Sequence, residues 1–187
     1  MDTVKITGVT RGSLSGRLAA HIALKLTSLE VSGELDKQDM EYLSYISREG
    51  ILSVLDLKNA DFLYNGAYVT APKSMRYCCL GSKTLQIVML PRSYCSKNIH
   101  ECFNNCVNLK EIEIDGSNNN PVFFNSFQNC PKIEKINILN NMPNLDEKSF
   151  DMVDKNKCEV YVPNGTKNDY SIARGWHEFK NVIENTN

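Results

Sequence analysis

Along this chain, short apolar runs of the form Leu-x-x-Leu-x-Leu recur, each closing in strict alternation with polar residues. The phrase is sharpest over residues 103–138. Phe103, Asn105, Cys106, Leu109, Ile112 and Ile114 match Phe127, Asn129, Cys130, Ile133, Ile136 and Ile138, each pair 24 residues apart. A fixed period of that size predicts a solenoid, in which one short unit stacks on the next. The alternating end of each unit predicts a half-buried strand, because successive side chains point to opposite faces. The same rhythm places Leu85, Val88 and Leu90 one step earlier, and Val160 and Val162 one step later. Leu52, Leu55 and Leu57, and before them Leu26, Leu29 and Val31, carry it toward the start through steps of 33 and 26 residues. The pattern therefore predicts an α/β solenoid of about six coils, its parallel strands joined in one continuous sheet.

The two ends break the pattern, which makes them caps, since a solenoid must cover its outermost coils. Leu14, Leu18 and Ile22 share one helical face, so residues 13–24 predict an amphipathic helix lying over the first coil. Leu29 to Val31 predicts the first strand, closed by Ser32 and Gly33. Asp36 and Asp39 offer N-cap oxygens to a second helix that runs through Arg48, with Met40, Leu43 and Ile46 inward and Gly50 ending it. At the other end, residues 167–173 and 176–184 predict two short helices broken at Gly175. Trp176, Phe179 and Ile183 share a helical face there, and the single Trp plugs the last coil. The whole, 1–187, reads as one domain: helix–strand units over 1–60, solenoid over 75–163 and a helical cap over 164–187.

Composition narrows the function classes. With 21 basic and 22 acidic residues the net charge is −1, so no electrostatic footprint for nucleic acid is present. No apolar run approaches the ~20 residues of a membrane span, and residues 1–5 do not look like the start of a secretion signal. Seven cysteines cannot all pair. Cys106 and Cys130 occupy one slot of successive coils and fit small buried apolar residues; a disulfide between them is the other reading, because adjacent strands lie about 4.8 Å apart. Cys102 and Cys106 with His100 lack the second cluster that a zinc site needs. His21 and His177 have no companion at ligand spacing. Cys102 with His100 is the one nucleophile–base pair that the sequence offers, and it lacks a third, orienting group. No cofactor motif occurs. Tyr64, Tyr68 and Tyr77 predict a loop packed by rings, with sugar binding as the alternative. Asn164-Gly165-Thr166 reads as a turn that also matches a glycosylation sequon.

The alternation itself defines a candidate surface. If Ile112 and Ile114 point inward, Glu111 and Glu113 point outward. Stacking then aligns Ile87, Glu111, Lys135 and Glu159 in one column and Met89, Glu113, Asn137 and Tyr161 in the next. Exposed Ile87, Met89 and Tyr161 are the expected anchors of a protein-binding face; an ordinary solvated sheet face is the plain alternative.

Several segments resemble the BspA-like leucine-rich repeat proteins of gut and oral anaerobic bacteria. The likeness is carried by Leu90-Pro91-Arg92-Ser93, by Cys102-Phe103-Asn104-Asn105-Cys106 with Leu109, and by Phe127-Gln128-Asn129-Cys130. Val160-Tyr161-Val162-Pro163-Asn164-Gly165 with Tyr170 and Trp176-His177-Glu178-Phe179 is similar to the family's C-terminal ending. The coil that places Cys79 and Ser82 in the Phe and Cys slots departs from it. The resemblance implies a leucine-rich-repeat solenoid that is secreted or surface-anchored, works without catalysis or cofactor, and mediates adhesion by binding a protein, such as a host matrix or bacterial surface protein, or a glycan. An intracellular scaffold or inhibitor on the same fold, or a structural spacer of a larger assembly, stands as the alternative.

Overall fold

The computed structural model describes residues 3–62, 79, 81–91, 93–94, 98–115 and 122–186, with backbone alone at 93–94 and 98–100. The loop of Tyr64, Tyr68 and Tyr77, together with Cys78 and Cys95, lies outside these. The chain opens with β1 (Val4–Val9), α1 (Leu14–Arg17), α2 (Ala20–Ala23), β2 (Ser28–Leu35), α3 (Lys37–Glu49), β3 (Val54–Asp56) and β4 (Ala60–Phe62). The repeats supply β5 (Ile87–Met89), β6 (Ser93–Tyr94), β7 (Asn98–His100), β8 (Glu111–Ile114), β9 (Val122–Phe124), β10 (Lys135–Ile138), β11 (Asn144–Leu145) and β12 (Glu159–Val162). The chain closes with α4 (Lys167–Ile172) and β13 (Asn181–Glu184).

Among the described residues every strand pair is parallel. The main sheet runs β13-β12-β10-β8-β5-β3-β2, with β1 on the outer side of β2. At β2 the ladder forks. Residues 28–30 pair with β3, whereas residues 33–35 pair with β4, which pairs in turn with β6. A second sheet of three short strands, β7-β9-β11, backs the later coils. Between the sheets lies one apolar core, with Leu55, Val88, Ile112, Ile136 and Val160 fully buried in matching register.

The repeat residues owe their places to three separate physical demands. The Phe slot builds a stack: Phe103 on Phe127 at 5.4 Å and 6°, then Phe127 on Phe150 at 4.9 Å and 4°. Trp176 and Phe179 close it at 5.9 and 5.7 Å from Phe150. The Asn slot turns the chain through left-handed backbone, with φ of 61° at Asn105 and 58° at Asn129. Asn tolerates this region better than other side chains, and Gly81 fills the same slot one coil earlier at φ 73°. The Cys slot demands a small buried group whose polar atom finds a carbonyl in the preceding coil. Cys106 Sγ donates to Cys79 O and Cys130 Sγ to Phe103 O, at 2.9 and 3.1 Å. In the divergent coil Ser82 meets the same demand, its hydroxyl donating to Ser47 O at 2.7 Å.

The caps differ from the sequence reading in four places. Residues 13–24 do not form one helix: Leu18 and Ala19 are extended between α1 and α2. The break lets Leu14, Leu18 and Ala23 all point inward, and leaves Ile22 48% exposed. Strand β1, which has only Val4 and Ile6 as an alternating signal, covers the edge of the first coil. The first strand continues through Ser32 and Gly33 to Leu35, because the fork needs its second half as a partner for β4. Residues 176–184 are a turn followed by β13, which adds a seventh rung to the main ladder; Val182 points inward and Ile183 outward. The helical spacing of Trp176, Phe179 and Ile183 was coincidental there. Trp176 does plug the last coil, fully buried with Nε1 donating to Pro143 O at 2.8 Å. Helix α3 matches the sequence reading. Its Asp36 and Asp39 form a reciprocal capping box. The Asp39 carboxylate also accepts from Gly12 N and Leu14 N, at 2.8 and 2.9 Å, and so ties the start of the chain to α3.

Candidate functional site

The strand face is built by the parallel register. Val54, Ile87, Glu111, Lys135, Glu159 and Asn181 stand side by side in one column. Lys5, Glu30, Asp56, Met89, Glu113, Asn137, Tyr161 and Ile183 form the next. All eight residues singled out from the sequence fall in the columns expected of them. Lys5, Glu30, Val54, Asp56, Asn181 and Ile183 extend both columns beyond the residues that the alternation marks. The match of Leu55 with Val88 already carried the register for Val54 and Asp56; nothing comparable marked β1 or β13.

Ile87, Met89 and Tyr161 are half-buried, not freely exposed, because each is flanked by a side chain one coil away on either side. The face is correspondingly ordered by lateral bonds. Lys135 Nζ contacts Glu111 Oε1 at 2.8 Å and stands 5.6 Å from the centre of the Tyr161 ring. Tyr161 Oη donates to Glu159 Oε2 at 2.8 Å, and Asn137 Nδ2 donates to Glu113 Oε2 at 3.2 Å. Lys58 reaches both Asp56 and Glu113, at 3.7 Å each, and Lys5 meets Glu30 at 2.6 Å. The hydrogen bond to Glu111 raises the Lys135 ammonium above its ordinary value, and that to Glu159 does the same for the Tyr161 phenol.

These pairs leave the middle of the sheet apolar. Val54 and Ile87 are register partners, with Met89 alongside. Asp56, Glu111 and Glu113 border them. Five carboxylates (Glu30, Asp56, Glu111, Glu113 and Glu159) face three ammonium groups (Lys5, Lys58 and Lys135), so the face as a whole is acidic.

The other candidate chemistry does not assemble. Cys106, Cys130 and Cys158 are buried free thiols, and Cys79 and Cys102 are buried as well, so the Cys106–Cys130 disulfide is not formed; the sulfurs of Cys106 and Cys130 bond carbonyls instead. Burial pushes the Cys130 and Cys158 thiols up to about 12 and the Cys106 thiol well above its ordinary value. Cys102 is fully buried, and the His100 side chain lies outside the described residues. His21 and His177 are exposed. Among the described residues no three His, Cys, Asp or Glu side chains converge as metal ligands, and no helix is long and apolar enough to cross a membrane. Asn164-Gly165 forms a turn at Gly165 φ 82°, with Thr166 Oγ1 donating to Pro163 O at 2.7 Å.

Parallel strands stacked at a 24-residue period, a stacked Phe row and a left-handed Asn turn define a leucine-rich-repeat solenoid. Residues 69–168, more than half of the chain, match the model of the BspA type leucine rich repeat region in six copies. The chain belongs to that family. β1 to β4 and β13 lie outside the matched segment. No curated protein matches the chain. Leucine-rich-repeat domains generally bind proteins and are generally non-catalytic, and the BspA-like family is typically secreted or displayed on surfaces.

Proposed function

We propose that this chain is a non-catalytic adhesive module, secreted or held at a cell surface, that binds a protein partner through its strand face. The observation that carries this reading is the apolar centre of Val54, Ile87 and Met89 bordered by Asp56, Glu111 and Glu113. Protein interfaces combine a desolvated apolar core with a polar rim in this way, and the lateral bonds hold the rim residues in place before a partner arrives. The partner such a face fits carries apolar anchors within a basic surround. Lys135, Tyr161 and Asn137 form the second half of the same surface. The domain from 1 to 187 works as one unit, its caps serving the solenoid.

A screen of the purified chain against extracellular matrix proteins tests this, beside a variant with Met89, Glu113, Asn137 and Tyr161 all changed to Ala. Binding that disappears in the folded variant supports the strand face. Binding that survives moves the site to the turns or caps. No binding to any matrix or surface protein favours a spacer or an intracellular scaffold.

A further inference from the structure

A second surface lies at the edge where the strands begin, and its chemistry is opposite to that of the strand face. The segments entering β2, β3, β5, β8 and β10 line a trough of about 510 Å³. Lys83, Lys110 and Lys132 project there from three successive coils; among the described residues no carboxylate lines the trough itself, and Glu134 and Asp154 stand in the adjoining hollow that Lys110 and Lys132 also line. All three lysines are exposed, and among the described residues none is in an ion pair. Lys132 Nζ donates to Asn108 Oδ1 at 2.6 Å and Asn108 Nδ2 to Lys83 O at 2.7 Å, which links the coils along the trough. An ammonium with one such bond keeps two further donors.

The remaining lining separates the possible ligands. Ser53 Oγ donates to Thr27 O and Thr84 Oγ1 to Leu52 O, at 2.9 and 2.8 Å. With their protons committed to the backbone, these hydroxyls offer acceptors to a ligand rich in O–H donors. Among the described residues no aromatic ring lines the trough, so they offer none of the stacking platforms on which single-stranded nucleic acids are held. Among the described residues Ile51 is its single large apolar side chain, 52% exposed, too little for insertion into a lipid surface and enough to pack the C–H face of a sugar. The lysines stand on successive coils, which repeat every ~4.8 Å, but at different positions of the repeat, because Gln86 and Glu134 hold the slot of Lys110 and Thr84 and Asn108 that of Lys132. Together they present a cluster of positive charge to the acidic groups of several sugars.

We infer that the trough beside Lys83, Lys110 and Lys132 binds an acidic polysaccharide, in particular a sulfated one. This goes beyond the strand-face reading and does not depend on it. The test is calorimetric titration of the full chain with a heparin hexasaccharide over a range of salt concentrations. Wild type binds, with affinity that falls as salt rises. Changing Lys83, Lys110 and Lys132 together to Gln, which preserves side-chain length, weakens binding roughly tenfold or more. Changing exposed Lys37, Lys148 and Lys167 to Gln alters net charge equally and leaves affinity within roughly twofold. Circular dichroism confirms that both variants fold. Absence of binding by wild type, equal loss in both variants, or equally tight binding of a single-stranded DNA of matched charge would overturn the inference.

Discussion

The Phe stack gives the most quantitative handle on how this solenoid is held together. Phe127 is fully buried and is stacked between two nearly parallel rings, with Phe123 tilted against it at 5.5 Å. Truncating such a ring to Ala costs about 3–5 kcal/mol through lost burial and the cavity left behind. Against a total stability of about 5–15 kcal/mol for a domain, that is a large fraction, and at about 2–4 °C per kcal/mol it lowers Tm by ~10 °C. Phe127→Leu separates the contributions. It keeps most of the buried volume and loses the two stacked contacts, each worth about 0.5–1.5 kcal/mol beyond area, so it costs about 1–3 kcal/mol. Urea unfolding followed by circular dichroism measures both. A double-mutant cycle of Phe103→Leu with Phe127→Leu isolates the stack, and a coupling of about 0.5–1.5 kcal/mol is expected. Coupling indistinguishable from zero, or an Ala variant within about 1 kcal/mol of wild type, would refute a stack that carries stability from coil to coil.

Three further outcomes are expected. Asp39→Ala strands the part-buried Gly12 and buried Leu14 amides and removes half of the capping box, so it costs about 2 kcal/mol in urea unfolding; Asp36→Ala, at a half-buried cap, costs about 1 kcal/mol. Tyr170 is buried with no hydrogen-bond partner for its hydroxyl among the described residues, so Tyr170→Phe leaves stability unchanged or raises it by up to about 1–3 kcal/mol; a drop in Tm would contradict this. Cys130 and Cys158 have folded values raised to about 12 from 9.0, so the folded state holds these protons more tightly than the unfolded chain. Their contribution is fully present below pH 9.0 and is lost progressively from there up to about pH 12. Cys130→Ala combined with Cys158→Ala therefore flattens the alkaline arm of the stability–pH curve; an unchanged arm would contradict the assignment.

The solenoid was legible because its period survives in chemically distinct slots. Asn105 and Asn129 meet a left-handed turn, Cys106 and Cys130 a cramped polar slot, and Phe103 and Phe127 a stack, so each column constrains the sequence independently. The strand-face columns followed from period and alternation together, which is why Glu111 aligned with Lys135 without a structure. What stayed hidden depended on contacts distant in sequence. Strand β1 has two alternating apolar residues, and only its pairing with β2 makes it a strand. Strand β13 was masked by Trp176, Phe179 and Ile183, whose spacing satisfies a helix although two of them face the last coil from a turn. Phe150 belongs to the Phe stack but stands 23 residues after Phe127, one short of the period: its coil enters β11 two residues early, with Leu145 paired to Phe123, and regains one of them before Phe150. The half-burial of Ile87 and Met89 could not be read from alternation, which distinguishes the two faces of a strand but not the crowding by neighbours on one of them.

The strand-face account is tested most directly by carbodiimide labelling of carboxylates, with and without a protein partner obtained from the binding screen. The account predicts that Asp56, Glu111 and Glu113 lose reactivity in the complex while Glu41 and Glu49, on exposed positions of α3, do not. Unchanged labelling at Asp56, Glu111 and Glu113, with protection confined to the turns or to the caps, would contradict it.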